Sequence, residues 1–165
     1  MKIGAFTGKF YPAHIGHVWA VDYSLKYCDK VIIVISSNPI RNQEIKEKCG
    51  FDILDASIIK SWFEEYYKND SRVEVAIIDE SGLKPYPNST EDWVNRFKKQ
   101  FPSVNVKIAE ESYREFNQKH FPECEFLAVP RDVVSIHSTY IRNNLKKYFD
   151  YLIPTAKPYF LNKIN

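Results

Sequence analysis

Apolar runs of strand length alternate with amphipathic segments of helix length along most of the chain. The runs predict five buried strands, at residues 2–6, 30–36, 73–78, 105–109 and 125–129. The segments between and after them place apolar residues near helical spacing and predict helices at 16–28, 51–67, 89–101, 112–121 and 138–149. This alternation is typical of a parallel sheet with helices on both faces. We therefore predict a single domain over residues 1–165, with a Rossmann-like, doubly wound, five-stranded parallel α/β fold.

Polar and proline-containing stretches separate these elements. The segment SNPIRNQ breaks the pattern after the second strand and is interpreted as a loop. Ser89 or Thr90 is predicted to cap one helix, and Ser138 or Thr139 another. The tail after Asp150 contains prolines, and we expect it to pack on the domain or to fray.

Composition and charge exclude several classes of protein. The net charge of +2 gives no reason to expect a nucleic-acid or membrane partner, so any anion site must be a local cluster. Cys28, Cys49 and Cys124 match neither a disulfide framework nor a zinc site, and we expect free thiols in a reducing compartment. No apolar run approaches the roughly 18 residues of a membrane span, and no signal-peptide pattern is seen. We expect a cytoplasmic protein.

The stretch GKFYPAHIGH, which ends at His17, follows the first predicted strand and opens the first predicted helix. Gly8 loosens the turn, and Gly16 and His17 begin the helix. The carboxyl end of a strand in an open parallel sheet is where ligands bind, and a helix N-terminus favours phosphate. His14 and His17 are three positions apart and can contact one anion, to which Lys9 adds a positive charge. The stretch therefore predicts a phosphate site.

A second polar segment, SIHSTYIRNN, follows the fifth predicted strand. Ser138 and Thr139 stand at a helix start, and Arg142 lies one turn later on the same face. Hydroxyls, backbone N–H groups and a guanidinium suit the terminal phosphates of a nucleotide. Alone, the segment is equally well a capped helix with a solvent-facing arginine, but its pairing with the first stretch favours the phosphate site.

Together the two segments resemble the nucleotidyltransferase superfamily, which carries a T/HxGH motif after its first strand and an I-S-x-T-x-I-R motif late in the chain. The stretches GKFYPAHIGH, KPYPNSTEDW, AEESYREF and YLIPTAKPYFLNKI further resemble the nicotinamide mononucleotide (NMN) adenylyltransferase domain of NadR-type proteins. The resemblance covers nearly the whole chain. The residues that match the two superfamily motifs are His14, Gly16 and His17 in the first, and Ile136, Thr139, Ile141 and Arg142 in the second.

The chain departs from the family pattern at several positions. His137 stands where the late motif has its first serine, and Glu110 stands where the Ser-Glu-x-Tyr segment has its serine. The arginine expected early in the second long helix is absent, with only Lys60 nearby. The ribosylnicotinamide kinase domain and its phosphate loop are also missing, so we expect no phosphorylation of nucleosides.

The resemblance implies the reaction ATP + NMN → NAD + pyrophosphate, by in-line attack of the acceptor phosphate on the α-phosphorus of ATP. Mg²⁺ would enter with ATP, carried mainly by phosphates and water, and no protein metal ligand is expected. The partners would be ATP and a mononucleotide, with NMN as the expected acceptor. The oligomeric state is left open, including a homo-oligomer.

The resemblance also implies a role for each candidate residue. The histidines would contact α- and β-phosphate oxygens, and the cations the β- and γ-phosphates. Trp93 would stack on the acceptor's pyridine ring, although a helix tryptophan is often a core residue, and Arg41 is equally well a solvated loop residue. The candidates are His14, His17, Lys9 and Arg142 for catalysis; Gly8, Phe10, Gly16, Arg131, Ser138 and Thr139 for ATP; and Trp93, Arg41 and Asn38 for the acceptor.

Three other readings compete with this one. HIGH also occurs in aminoacyl-tRNA synthetases, but the chain lacks a KMSKS-like loop and tRNA-binding parts. A sister enzyme, such as phosphopantetheine adenylyltransferase or a cytidylyltransferase, would fit the chain length, but GKFYP and the segment around Trp93 argue against it. A nucleotide-sensing module with weak turnover is the third, raised by His137 in place of serine.

Overall fold

The computed structural model describes residues 1–85, 87–130 and 133–164, which form five strands and eight α-helices. Short 3₁₀ turns cover Glu111–Tyr113, Phe149–Tyr151 and Leu161–Lys163. The strands are β1 (Ile3–Gly8), β2 (Lys30–Ser37), β3 (Val73–Asp79), β4 (Val106–Ala109) and β5 (Glu125–Ala128). The helices are α1 (Ile15–Ser24), α2 (Pro39–Cys49), α3 (Ala56–Tyr66), α4 (Thr90–Gln100), α5 (Arg114–His120), α6 (Ser138–Asn143), α7 (Leu145–Tyr148) and α8 (Lys157–Phe160).

The strands of the described residues form one parallel sheet in the order β3-β2-β1-β4-β5. In the register, Gly4 of β1 lies opposite Val31 of β2 and Val106 of β4. The chain moves outward from β1 to β3 and then crosses back to β4, so the direction of winding reverses between β1 and β4. At such a switch point a crevice opens beyond the carboxyl ends of the strands.

Two apolar cores cover the two faces of the sheet. Successive strand residues point to opposite faces, so Ile33 of β2 enters one core while Ile32 enters the other. Helices α1, α3 and α6 pack in the first core, and α4 with the end of α5 packs in the second, where Phe97 and Phe121 are almost fully buried. The predicted doubly wound α/β fold is confirmed.

The interpretation of SNPIRNQ as a loop is wrong, because Pro39 begins helix α2. The Asn38 side chain caps this helix by accepting a hydrogen bond from the Arg41 N–H at 3.0 Å, and proline suits the first helical position. Helix α2 buries only Asn42 and Ile45, so its sequence carries almost no apolar period. That weak pattern explains why it was missed.

Other predicted boundaries also shift. Helix α1 ends at Ser24 rather than residue 28, and α3 begins at Ala56 rather than 51, after Asp55 caps it. The helix predicted over 138–149 is divided, because Asn144 takes a non-helical backbone conformation, with φ −153° and ψ 77°, between α6 and α7.

Neither predicted serine or threonine cap forms as expected. Ser89 holds the position before α4 but makes no capping hydrogen bond with the described residues, and the Thr90 hydroxyl instead donates to the Pro87 carbonyl at 3.0 Å. His137, rather than Ser138 or Thr139, precedes α6. The hydroxyls of Ser138 and Thr139 instead make hydrogen bonds at the candidate site.

Candidate active site

A cleft of about 910 Å³ opens at the carboxyl ends of β1 and β4. Its walls are the loop after β1, the starts of α1, α2 and α4, and the segments after β3, β4 and β5. The predicted site residues that line it are Gly8, Lys9, Phe10, His14, Gly16, His17, Asn38, Arg41 and Trp93.

His14 and His17 form a stacked pair at the start of α1, with ring centroids 3.6 Å apart and planes inclined by 20°. The Nδ1 atom of His14 accepts a hydrogen bond from the Gly16 N–H at 3.1 Å, and Nδ1 of His17 accepts one from the His14 N–H at 3.0 Å. A nitrogen that accepts carries no hydrogen, so each neutral ring carries its hydrogen on Nε2. The helix cap therefore fixes both imidazoles as Nε2–H donors.

Glycine and phenylalanine hold the histidine pair in place. A Cβ atom at Gly16 would lie 2.9 Å from Cε1 of His14, so a larger residue would displace that ring. Phe10 is almost fully buried and packs edge-on against His17 at 4.8 Å and against Phe63 at 5.1 Å. Phe10 thus borders the cleft chiefly as a support beneath His17.

Lys9 is held on the cleft wall by Asn42 and Tyr11. Its ammonium donates a hydrogen bond to the side chain of Asn42 and lies 4.8 Å from the ring centroid of Tyr11. Burial lowers the pKa of Lys9 to about 8; Glu80 opposes this shift, and Arg41 and Arg142 add to it. The ammonium is still mostly protonated at neutral pH, and a bound phosphate would favour the charged form further.

Ser138, Thr139 and Arg142 of the late motif lie against the loop after β1 and are not among the residues that line the cleft, whereas Ile136 is. Arg142 donates from Nη1 to the Tyr11 carbonyl at 2.8 Å and from Nη2 to the Thr139 hydroxyl at 3.2 Å. The Ser138 hydroxyl donates to the Pro12 carbonyl at 3.0 Å. Burial lowers the pKa of the Arg142 guanidinium from its usual value. These three residues therefore shape the loop that carries the histidines.

The segment after α7 completes this support. The Ile153 N–H donates to the Ala13 carbonyl at 3.4 Å, and Leu152 pairs with His14 in an isolated antiparallel bridge. Leu152 and Ile153 are fully buried. The tail after Asp150 therefore packs rather than frays.

Asn38 and Arg41 line the opposite side of the cleft, at the start of α2. The Asn38 side-chain nitrogen donates to a Glu80 carboxylate oxygen at 3.2 Å, which ties α2 to the end of β3. The Arg41 guanidinium pairs with Glu44 at 3.2 Å and remains half exposed. Arg41 is therefore accessible to an anion in the cleft.

Trp93 is both a cleft-lining residue and a core residue, the two roles considered for it. It borders the cleft and also stacks on Phe97 in the second core, with ring centroids 5.4 Å apart and planes inclined by 28°. Its indole nitrogen is buried without a hydrogen-bond partner among the described residues.

Sequence reasoning missed Lys107, a cleft-lining residue in β4 that is only 5% exposed. Its ammonium lies 3.7 Å from the ring centroid of Phe97, 4.3 Å from that of Phe121 and 5.6 Å from that of Trp93. Burial lowers the pKa of Lys107 to about 7. The available signal was a lysine inside a short apolar strand of a parallel sheet, where both faces are covered.

Trp19 and Thr7 were also missed. Trp19 lines the cleft and stacks on Tyr23, with ring centroids 5.3 Å apart. The Thr7 hydroxyl, at the end of β1, is buried and has no hydrogen-bond partner among the described residues. Both lie within ten positions of the histidine motif, which is the signal that could have found them.

The remaining expectations concern Arg131, metal ligands, membrane spans and the cysteines. Arg131 lies outside the described residues. Among the residues that the structure describes, no cluster of three His, Cys, Asp or Glu side chains could hold a metal ion, and no helix is long and apolar enough to cross a membrane. Cys28, Cys49 and Cys124 are free thiols.

No family model matches the chain, but individual proteins do. The trifunctional NAD biosynthesis/regulator protein NadR of Escherichia coli K12 is 24% identical over 98% of this chain and 41% of its own length. A probable nicotinate-nucleotide adenylyltransferase of Fusobacterium nucleatum is 37% identical over 48% of this chain and 38% of its own length. Several homologues of this chain are named as nucleotide adenylyltransferases. The chain spans less than half the length of these curated relatives.

Solved structures of adenylyltransferase homologues share the fold. A crystal structure of NadR protein in complex with NR superimposes with a TM-score of 0.76 at 21% identity, covering 96% of this chain and 45% of that one. A bifunctional NMN adenylyltransferase/ADP ribose pyrophosphatase from Francisella tularensis, complexed with AMP and a Mn ion, gives a TM-score of 0.67 at 18% identity, covering 99% and 49%. At these identities the likeness establishes the fold, in agreement with the resemblance that the two motifs indicated.

Proposed function

We propose that the chain transfers the adenylyl group of ATP to the phosphate of a pyridine mononucleotide, with NMN as the acceptor that its motifs favour. The observation that carries this proposal is the stacked His14–His17 pair at the start of α1. Both rings are fixed as Nε2–H donors at the edge of a 910 Å³ cleft. A helix N-terminus with two such donors suits the α-phosphate of a nucleotide.

The proposed reaction requires no covalent intermediate on the protein. An oxygen of the acceptor phosphate forms a bond to the α-phosphorus as the bond to the β-phosphate oxygen breaks, and pyrophosphate leaves with that electron pair. Catalysis then consists of positioning the reactants and stabilising charge on phosphate oxygens. His14 and His17 would donate to the α- and β-phosphate oxygens, on which negative charge grows.

The cations would hold the leaving pyrophosphate. Lys9 is mostly protonated at neutral pH and lies on the cleft wall, so it would neutralise charge on the β- and γ-phosphates. Arg142 does not line the cleft, but a guanidinium has five N–H donors, so Arg142 would keep its bonds to the loop and have donors left for a β- or γ-phosphate that extends toward α6. Ser138 and Thr139 would act mainly by shaping the loop, as their hydrogen bonds indicate.

The acceptor would occupy the side of the cleft lined by α2 and α4. Arg41 would contact its phosphate, Asn38 would keep the start of α2 in place, and Trp93 would present a ring face to the pyridine. Mg²⁺ would be bound by the phosphates and water. When bound, it would neutralise charge on the departing pyrophosphate.

The test is pyrophosphate release with Mg-ATP and a panel of acceptors: NMN, nicotinate mononucleotide, phosphopantetheine and glycerol phosphate, with CTP in parallel. We expect release that depends on a pyridine mononucleotide, together with the matching dinucleotide product. His17→Asn keeps an oxygen that can accept from the His14 N–H but removes the imidazole, and we expect kcat to fall about 10²–10³-fold. His120→Ala, on helix α5, is the matched control and should leave kcat unchanged.

The alternatives predict different results. Release only with phosphopantetheine or only with CTP would identify a sister transferase. Tight ATP binding with no turnover on any acceptor would favour a nucleotide-sensing module.

A further inference from the structure

Lys107 is a buried lysine without an acidic partner among the described residues. No ion pair formed by these residues includes it, and its side chain is 5% exposed. Lysine is almost never buried to this extent unless it is paired. The rings of Phe97, Phe121 and Trp93 surround the ammonium and offset part of its lost hydration. Aromatic rings alone provide no hydrogen-bond acceptor of the strength that an ammonium has in water.

Lys107 borders the cleft next to other polar side chains. Lys107, Trp93 and Asn117 all line it on the α4–α5 side. Asn117 is nearly buried, and its side-chain nitrogen is already bound to the Tyr113 carbonyl at 2.8 Å. The Trp93 indole nitrogen is a second buried donor without a partner among the described residues. Lys107 and Trp93 both donate only, so both suit an acceptor that a ligand brings into this corner of the cleft.

We propose that Lys107 is a specificity-determining residue that binds an anionic substituent on the pyridine ring of the acceptor, so that nicotinate mononucleotide is used about as well as NMN. This inference rests on the proposed function, because it names the substrate class of the same site. It adds the residue that would recognise the ring substituent, next to the tryptophan that would stack on the ring.

The chemistry of the two acceptors explains why Lys107 would favour the acid. They differ only in the ring substituent, which is a carboxylate in one and a carboxamide in the other. A carboxylate beside the desolvated ammonium forms a charge-assisted hydrogen bond and restores a charge pair. A carboxamide offers only a neutral acceptor. Both acceptors carry a positively charged pyridinium ring, and only the carboxylate of the acid offsets the repulsion between that ring and the ammonium. Loss of a hydrogen bond to a charged group is expected to lower the use of the acid roughly 10–100-fold.

The experiment compares kcat/KM for NMN and nicotinate mononucleotide, with Mg-ATP, in the wild-type protein, Lys107→Met and Lys98→Met. Lys98 is the matched control, since its ammonium lies 5.3 Å from the Phe121 ring but pairs with Glu123 outside the cleft. We expect wild-type values for the two acceptors within tenfold of each other. Lys107→Met should lower kcat/KM for the acid 10–100-fold, mainly through KM, change that for NMN less than threefold, and leave the KM for ATP unchanged. Lys98→Met should change neither acceptor.

Two results would overturn the inference. One is a wild-type protein that uses the acid more than tenfold less well than NMN, which needs no variant to observe. The other is an equal loss for both acceptors in Lys107→Met. Failure of the proposed function looks different, because then neither pyridine mononucleotide supports pyrophosphate release by the wild-type protein, and the inference falls with it.

Discussion

Replacing Lys107 with methionine removes a buried charge but keeps a flexible side chain of similar length in the second core. Lys107 is 5% exposed, and burial lowers its pKa from 10.5 to about 7 in the folded protein. In the unfolded chain the lysine regains its ordinary pKa. We therefore expect Lys107→Met to raise the free energy of unfolding at neutral pH, the opposite of the usual effect of a core substitution.

The magnitude follows from the two pKa values. Between pH 7 and pH 10.5 the unfolded state binds a proton at this lysine that the folded state has released, so stability rises with pH. Each pH unit well inside this window corresponds to about 1.4 kcal/mol, and the penalty at pH 7 is about 4 kcal/mol. By pH 9 it falls to about 2 kcal/mol. The advantage of Lys107→Met over wild type should fall by the same amount.

The assay is urea unfolding of both proteins, followed by circular dichroism, at pH 7, 8 and 9. The informative quantity is the difference in unfolding free energy between variant and wild type, because groups common to both proteins cancel. Lys98→Met, in which the replaced side chain is 40% exposed, should stay within about 0.5 kcal/mol of wild type across the range. Destabilisation of Lys107→Met at pH 7, or an advantage that does not change up to pH 9, would refute the reasoning.

Two further predictions concern the loop that carries the histidines. The pKa of Lys9 is about 8, and its side chain loses most of its charge above that value, so kcat/KM for ATP should fall as pH rises from 7 to 9. Arginine stays charged over this range, so Lys9→Arg should abolish that dependence. An unchanged slope in the arginine variant would assign the pH effect to another group. Ser138→Ala leaves the Pro12 carbonyl without the hydroxyl that donates to it, and it should lower the unfolding free energy, measured by thermal denaturation, by about 1 kcal/mol. Ser103→Ala, at an exposed turn, is the control and should have no effect. Equal unfolding free energies for the two variants would argue against a role for Ser138 in supporting the loop.

The sheet was predictable because its strands are almost continuously apolar, as in the KVIIVIS run of β2, where both faces are covered. Helix α2 was not, because it buries only Asn42 and Ile45 and depends on a cap and a first-turn proline rather than on an apolar face. The division between α6 and α7 was hidden for another reason. It depends on Asn144, whose side chain caps α7 by accepting a hydrogen bond from the Lys147 N–H at 3.1 Å, and side-chain periodicity does not reveal such a break.

The candidate site was predictable to the extent that it is local. The histidine pair comes from one continuous stretch, and its capping geometry follows from the three-residue spacing of His14 and His17. The contact between Arg142 and the Tyr11 carbonyl joins residues 131 positions apart, so spacing alone could not distinguish a phosphate ligand from a support for the loop. Lys107 was missed because a single lysine in a strand is usually exposed on an edge, and only the packing of α4 and α5 buries it.

The hydrogen bonds to the carbonyls of the loop after β1 also determine when, during synthesis, this loop can gain its support. The carbonyls of Tyr11, Pro12 and Ala13 are bound by groups that lie between Ser138 and Ile153. A ribosome makes the amino-terminal part first, so the loop emerges long before the groups that hold it. A nascent or prematurely terminated chain can therefore build much of the sheet while the loop after β1 is still unsupported. If the proposed function holds, we expect incomplete chains to bind ATP poorly, because three carbonyls of this loop gain their hydrogen bonds only when the carboxyl-terminal segment is present.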